Sequence, residues 1–138
     1  MKVRCLRQYP TEEQVQALGP AFYRKQSFHL TVGREYLVFG LQLSVNANML
    51  GTGAWIQIVS ESERLSWAPL MLFEIVDPRV SRYWEVRHWP DGAVTLWPNS
   101  FYRDYFHDDL SEGVPDLMKE FAAVRASLES EFEPGMRR

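Results

Sequence analysis

The sequence predicts an α+β domain: a strongly bent antiparallel sheet, with a short helix before it and one or two helices after it. Three observations predict this. Apolar and polar residues alternate through Ala54 to Ser60 and on both flanks of Pro90-Asp91-Gly92, the period of strands joined by tight turns. Leu117, Phe121, Val124, Leu128 and Phe132 recur at helical spacing and leave one apolar stripe. The length of 138 residues, 46% of them hydrophobic, fits one domain spanning 1–138 with a core that needs no staples.

The elements follow in order. Lys2 to Arg7 alternates Val3 and Cys5 with charged residues, as a short edge strand does. Thr11 is placed to cap a helix whose first turn holds Glu12 and Glu13, and Gly19-Pro20 ends it. Phe28, Leu30 and Val32 alternate with His29 and Thr31, so a strand is expected there, and Val32 to Glu35 reads as a turn. Tyr36 to Val45 is one long β-rich run with a bulge or bend at Gly40. Asn46 to Gly53 is a turn-rich loop without the lysine that a phosphate-binding loop requires.

Ala54 to Ser60 is a strand, Glu61 to Arg64 a polar hairpin, and Leu65 to Pro69 the returning strand. Pro69 marks that strand as an edge or a bend, because proline donates no ladder hydrogen bond. Leu70 to Val76 fits a strand or one helical turn, with strand preferred, and Asp77-Pro78 makes a turn. Tyr83 to Trp89 and Ala93 to Trp97 form a hairpin around Pro90-Asp91-Gly92. After Pro98, with Asn99 or Ser100 as cap, Phe101, Tyr105 and Phe106 are expected on one helical face. Val114-Pro115 opens the last helix and Pro134-Gly135 stops it. The stretch from Leu30 to Gly40 resembles the turn and long strand that open SH3-like small barrels; an open sheet fits the same pattern.

Composition narrows the function. A formal charge of −3 disfavours nucleic acid, whose binders carry strongly basic surfaces. A single cysteine, Cys5, excludes an internal disulfide and fits a reducing compartment. The N-terminus lacks a signal-peptide core and no apolar run is long enough for a membrane span, so a cytoplasmic location is expected, with no membrane partner.

The most distinctive stretch is Trp97 to Glu112, WPNSFYRDYFHDDLSE, where five rings run into an acidic cluster. His107, Asp108 and Asp109, with Asp104 or Glu112, form the only cluster with metal-ligand chemistry, and His107, Asp104 and Asp108 are its candidate ligands. On one helix Asp104 would share a face with Asp108, and Asp108 with Glu112; a solvated acidic helix end accounts for the same residues. No serine or cysteine sits in a nucleophile context, so no catalytic residue, no cofactor and no enzyme activity are expected. His29 and His88 read as surface residues. Arg64, Arg79, Arg82 and Arg87 with Tyr83, Trp84 and Trp89 form a basic-aromatic region that fits a peptide- or nucleic-acid-binding module, or arginines packed on rings without a ligand.

In overall character, the chain resembles small bacterial immunity proteins of toxin-immunity systems, including those paired with contact-dependent inhibition toxins. The features that carry the resemblance are the short acidic α+β chain, the run WPNSFYRDYFHDDLSE and the closing amphipathic helix. It implies a protein partner, a basic toxin domain, whose active site is covered by acidic and aromatic side chains. Asp104, Asp108, Asp109 and Glu112 would supply the charge and Tyr102 the anchoring ring. The alternative function is a metal-dependent hydrolase or nuclease using His107 and nearby carboxylates.

Overall fold

The computed structural model describes residues 1–18, 27–44 and 53–133. Among them are eight strands in two antiparallel sheets, and neither sheet closes into a barrel. The first sheet has the order β2–β1–β6, from β1 (Lys2–Cys5), β2 (Glu35–Leu37) and β6 (Phe73–Asp77). The second has the order β5–β4–β3–β8–β7, from β3 (Gly40–Ser44), β4 (Gly53–Val59), β5 (Leu65–Pro69), β7 (Trp84–His88) and β8 (Val94–Pro98). Helix α1 (Glu12–Leu18) follows the first strand, and α2 (Phe106–Ser111) and α3 (Pro115–Ser130) follow the last.

The expected long strand from Tyr36 is two strands in two different sheets. The chain crosses between them at Val38 to Gly40, where the backbone of Val38 donates to Met1 O (3.0 Å) and that of Phe39 to Gln57 O (2.8 Å). Gly40 is required by close approach. A Cβ there would stand 2.7 Å from Gln57 Oε1 and 2.7 Å from Trp97 Cδ1.

β1 is central, not an edge. Its charged alternation has a cause that sequence does not show: Arg4 bridges Glu35 on one neighbouring strand (3.0 Å) and Glu74 on the other (2.7 Å), while Val3 and Cys5 face the core. The strand expected at Phe28 to Val32 does not form. His29 has a φ of 54°, and the backbone groups there are bonded outside any ladder: Gln8 Nε2 donates to Leu30 O (3.0 Å), and Thr31 N to the Tyr36 hydroxyl (2.8 Å). Phe28 and Leu30 are nevertheless buried, so alternation in burial occurs here without a sheet. Leu70 to Leu72 is a single 3₁₀ turn that feeds β6, and so both readings of that stretch hold in part.

Several local signals form as read. Thr11 and Gln14 close a reciprocal capping box, with Gln14 N donating to Thr11 Oγ1 (3.1 Å) and Thr11 N to Gln14 Oε1 (2.9 Å). Gly92 takes a φ of 93° in the β7–β8 turn, where Asp91 Oδ1 accepts from Ala93 N (2.9 Å). β5 is an edge strand, as Pro69 implied. The loop expected at 46–53, apart from Gly53, and the stops at Gly19-Pro20 and Pro134-Gly135 lie outside the described residues.

Two apolar clusters hold the layers together. Val3, Tyr36, Val38, Ile56, Ile58 and Leu72 centre the first, between the two sheets; Phe39, Phe101, Phe106, Leu117 and Leu128 form the second, under α2 and α3. β4 serves both. Ile56 and Ile58 belong to the first cluster, Val59 packs against the second, and Gln57 reaches α2. Just past α3, buried Glu131 accepts from Ser81 Oγ (2.6 Å) and from Arg82 N (3.1 Å), which ties that end to the segment before β7.

Candidate functional site

The Trp97–Glu112 stretch is not one helix. Asn99–Tyr102 is a 3₁₀ turn, the chain extends at Arg103, and Tyr105 adopts the left-handed conformation (φ 61°) before α2 begins. The break sorts the aromatic residues. Phe101 and Phe106 are buried and stacked, with ring centroids 4.9 Å apart, whereas Tyr105 is 75% exposed. The shared face expected for Phe101, Tyr105 and Phe106 therefore does not exist. Neither Asn99 nor Ser100 caps α2; Asn99 Nδ2 donates to Glu85 Oε2 instead (3.0 Å).

The ring expected to anchor a partner, Tyr102, is half-buried and fixed. A hydrogen-bond chain runs from Trp89 Nε1 to Thr95 Oγ1 (3.0 Å), on to the Tyr102 hydroxyl (2.8 Å), and from there to the Glu85 carbonyl (2.7 Å). Its ring lies between Trp97 (5.0 Å, stacked) and the Arg87 guanidinium (4.0 Å). Tyr105 is the exposed ring, and sequence spacing gave no signal for it, because the reversal at its own backbone decides the direction.

Asp104 lies outside α2 and so does not share a helical face with Asp108. A surface hollow of ≈ 370 Å³ nevertheless brings both together with Tyr102, Tyr105, Trp89 and Arg103. Asp108 and Glu112 are exposed at a spacing of four, and the Glu112 N–H donates to Asp108 O (3.0 Å); Asp109 is half-buried. Asp109 and Glu112 do not line the hollow. Arg103, which lines the hollow, is engaged by Glu120 (2.7 Å).

His107 faces inward. The Gln57 side-chain amide nitrogen lies 2.6 Å from His107 Nε2, a hydrogen bond that joins β4 to α2. Trp67, Trp97, Phe101 and Phe106 surround it at centroid distances of 5.3–6.1 Å. Burial pushes its pKa below the usual histidine value, and the Asp108 charge opposes that in part. Among the described residues no three His, Cys, Asp or Glu side chains converge as metal ligands, so the grouping of His107 with Asp104 and Asp108 does not assemble. Among the described residues, two buried polar atoms beside Gly40, Gln57 Oε1 and Trp97 Nε1, have no hydrogen-bond partner.

The arginines of the basic-aromatic region do not converge either. Arg79 is bound by Asp77 (2.6 Å), whose carboxyl that contact helps lower to a pKa of about 2; Arg82 lies over Tyr83 (5.1 Å) and Arg87 over Tyr102. Trp84 donates its Nε1 to Phe39 O (3.0 Å). His29 and His88 are exposed, as expected.

A second cavity, of ≈ 590 Å³, lies between β5 and the α2–α3 pair, lined by Leu65, Ser66, Trp67, His107, Leu110, Met118 and Phe121 among others. Its signal in the sequence was Pro69, which marked the edge but not the groove beside it. No protein-family model, curated protein or solved structure matches the chain. No helix among the described residues is long and apolar enough to cross a membrane.

Proposed function

We propose that the chain is a non-enzymatic partner-binding protein of the immunity type, acting in the bacterial cytoplasm on a basic toxin domain. The contact is the hollow at Tyr102, Asp104, Tyr105 and Asp108, together with Asp109 and Glu112 outside it. One observation carries the reading: Tyr105 is 75% exposed and holds a left-handed backbone conformation. That conformation costs a residue with a Cβ on the order of 1 kcal/mol or more, and folded proteins keep such strain at functional sites. Here it projects a tyrosine, a ring type enriched in binding hot spots, beside exposed carboxylates.

The carboxylates set the chemistry of the partner. Asp104, Asp108 and Glu112 are exposed, and a patch of one sign accelerates encounter with a surface of the other. Tyr102, held between Trp97 and Arg87, makes a rigid wall whose geometry does not depend on the partner.

The test is co-purification and stopped-flow association with the product of a neighbouring toxin-like reading frame. Replacing Asp108 and Asp109 together by Lys should slow association at least tenfold at low salt without altering the circular dichroism spectrum. Tyr105→Ala should weaken the complex by about 2 kcal/mol, roughly 30-fold in Kd. A complex indifferent to both changes would remove this surface from the interaction.

A further inference from the structure

We infer that the hollow beside α2 receives one arginine side chain of the partner protein, its guanidinium laid on Trp89 and Tyr105 and paired with Asp104 and Asp108. This rests on the partner-binding reading and names the side chain that the surface recognises. Six of the ten residues lining the ≈ 370 Å³ hollow are Phe, Tyr or Trp, and two are aspartates. Ring faces and carboxylates are the two kinds of group that attract a cation once water is partly excluded. Arg103 is the only arginine or lysine in the lining, and its charge is taken by Glu120 (2.7 Å), which lies outside the hollow. Among the described residues no cationic side chain pairs with Asp104 or Asp108, so the lining is left negative.

The rings divide by what already covers them. Tyr102 has Trp97 stacked on one face (5.0 Å) and the Arg87 guanidinium on the other (4.0 Å), so it forms a fixed wall. Phe101 and Phe106 are almost fully buried, stacked on each other, and close the inner side. Trp89, 38% exposed, and Tyr105, 75% exposed, are the rings left open to a ligand. Trp89 is held by its hydrogen bond to Thr95 Oγ1 (3.0 Å), and Tyr105 is turned outward by its φ of 61°. A volume near the lower end of the range for ligand cavities suits one long side chain, whose methylenes would pack on the buried rings.

Arginine fits this lining better than lysine. Its guanidinium is flat and weakly hydrated, so it stacks on a ring, and its five N–H groups can address two carboxylates at once. A lysine ammonium is compact and strongly hydrated; it would satisfy the carboxylates and gain less from the rings. The chain itself favours the first contact. Among the described residues, four of the five cation–ring contacts use arginine, one of them on Tyr102 itself.

The test titrates the full chain, followed by NMR, with three capped amino acids: Nα-acetyl-L-arginine methylamide and its lysine and citrulline counterparts. Citrulline keeps the shape of arginine and loses the charge. Arginine should shift the Trp89 indole N–H and the backbone amides of residues 104–108 saturably, with a Kd about tenfold lower than citrulline and about threefold lower than lysine. Asp104→Asn with Asp108→Asn should raise the arginine Kd about tenfold, whereas Asp109→Asn with Glu112→Gln, outside the hollow, should leave it within about twofold. No saturable shift, or equal binding of citrulline or lysine, would overturn the inference. Equal loss from both pairs of substitutions would show attraction to the acidic surface in general and also overturn it. Arginine binding with a complex indifferent to Asp108→Lys/Asp109→Lys would support the guanidinium site and remove the partner-binding reading. A complex disrupted by that change, with no arginine binding, would do the reverse.

Discussion

Tyr105 shows how one backbone angle redirects a helical pattern. Spacing placed it with Phe101 and Phe106; its φ of 61° turns it to solvent instead. If the strain is kept for binding, Tyr105→Gly should raise unfolding stability by about 1 kcal/mol in urea melts while weakening the partner complex. A loss of stability would mean that the ring supports the fold. Gly40→Ala tests the opposite case, a residue that must be small. Its new Cβ would stand 2.7 Å from two side chains, and overpacking of that kind costs about 2 kcal/mol. His107 adds a pH dependence. Its folded pKa is depressed, so its contribution is full above the unfolded value near 6.5 and is lost as pH falls through the folded value. The slope contributed cannot exceed about 1.4 kcal/mol per pH unit. Thermal melts between pH 7.5 and 5 should show it, and His107→Gln should flatten it.

Among the elements, those with local causes were legible and those with distant causes were not. The Thr11 cap, the Gly92 turn, the β4 strand and the stripe of α3 are each written within a few neighbouring residues, although β4 is buried on both faces from Trp55 to Ile58 and does not alternate in burial. The central place of β1 depends on partners far along the chain, Glu35 and Glu74, which no local period reveals. The stretch at Phe28 to Val32 misled for the converse reason: Phe28 and Leu30 are buried but Val32 is 57% exposed, and side chains of Gln8 and Tyr36, not a second strand, bind its backbone. Of the site, the carboxylates were legible as a cluster, but which ring joins them was fixed by the reversal at Tyr105. The α3 stripe gives a direct measurement. Phe121 packs on Phe39 (5.2 Å) and Phe101 (6.3 Å), so Phe121→Ala should cost on the order of 3 kcal/mol by chemical denaturation. A cost below 1 kcal/mol would make α3 peripheral to the core.

The whole molecule depends on β4, because each apolar cluster uses it. Ile58 is fully buried in the cluster between the sheets, Val59 packs on the cluster under the helices, and Gln57 between them is hydrogen-bonded to His107. Neither cluster can lose this strand without exposing the other, so the chain should unfold as one cooperative unit despite having two cores. Ile58→Ala and Phe121→Ala lie in different clusters, and their effects on stability should nearly add, since neither residue packs on the other. Both variants should show one transition, with the same midpoint by far-ultraviolet circular dichroism and by tryptophan fluorescence. A variant in which the two probes separate would mean that the sheet layer and the helix layer fold independently, and β4 would then not couple them.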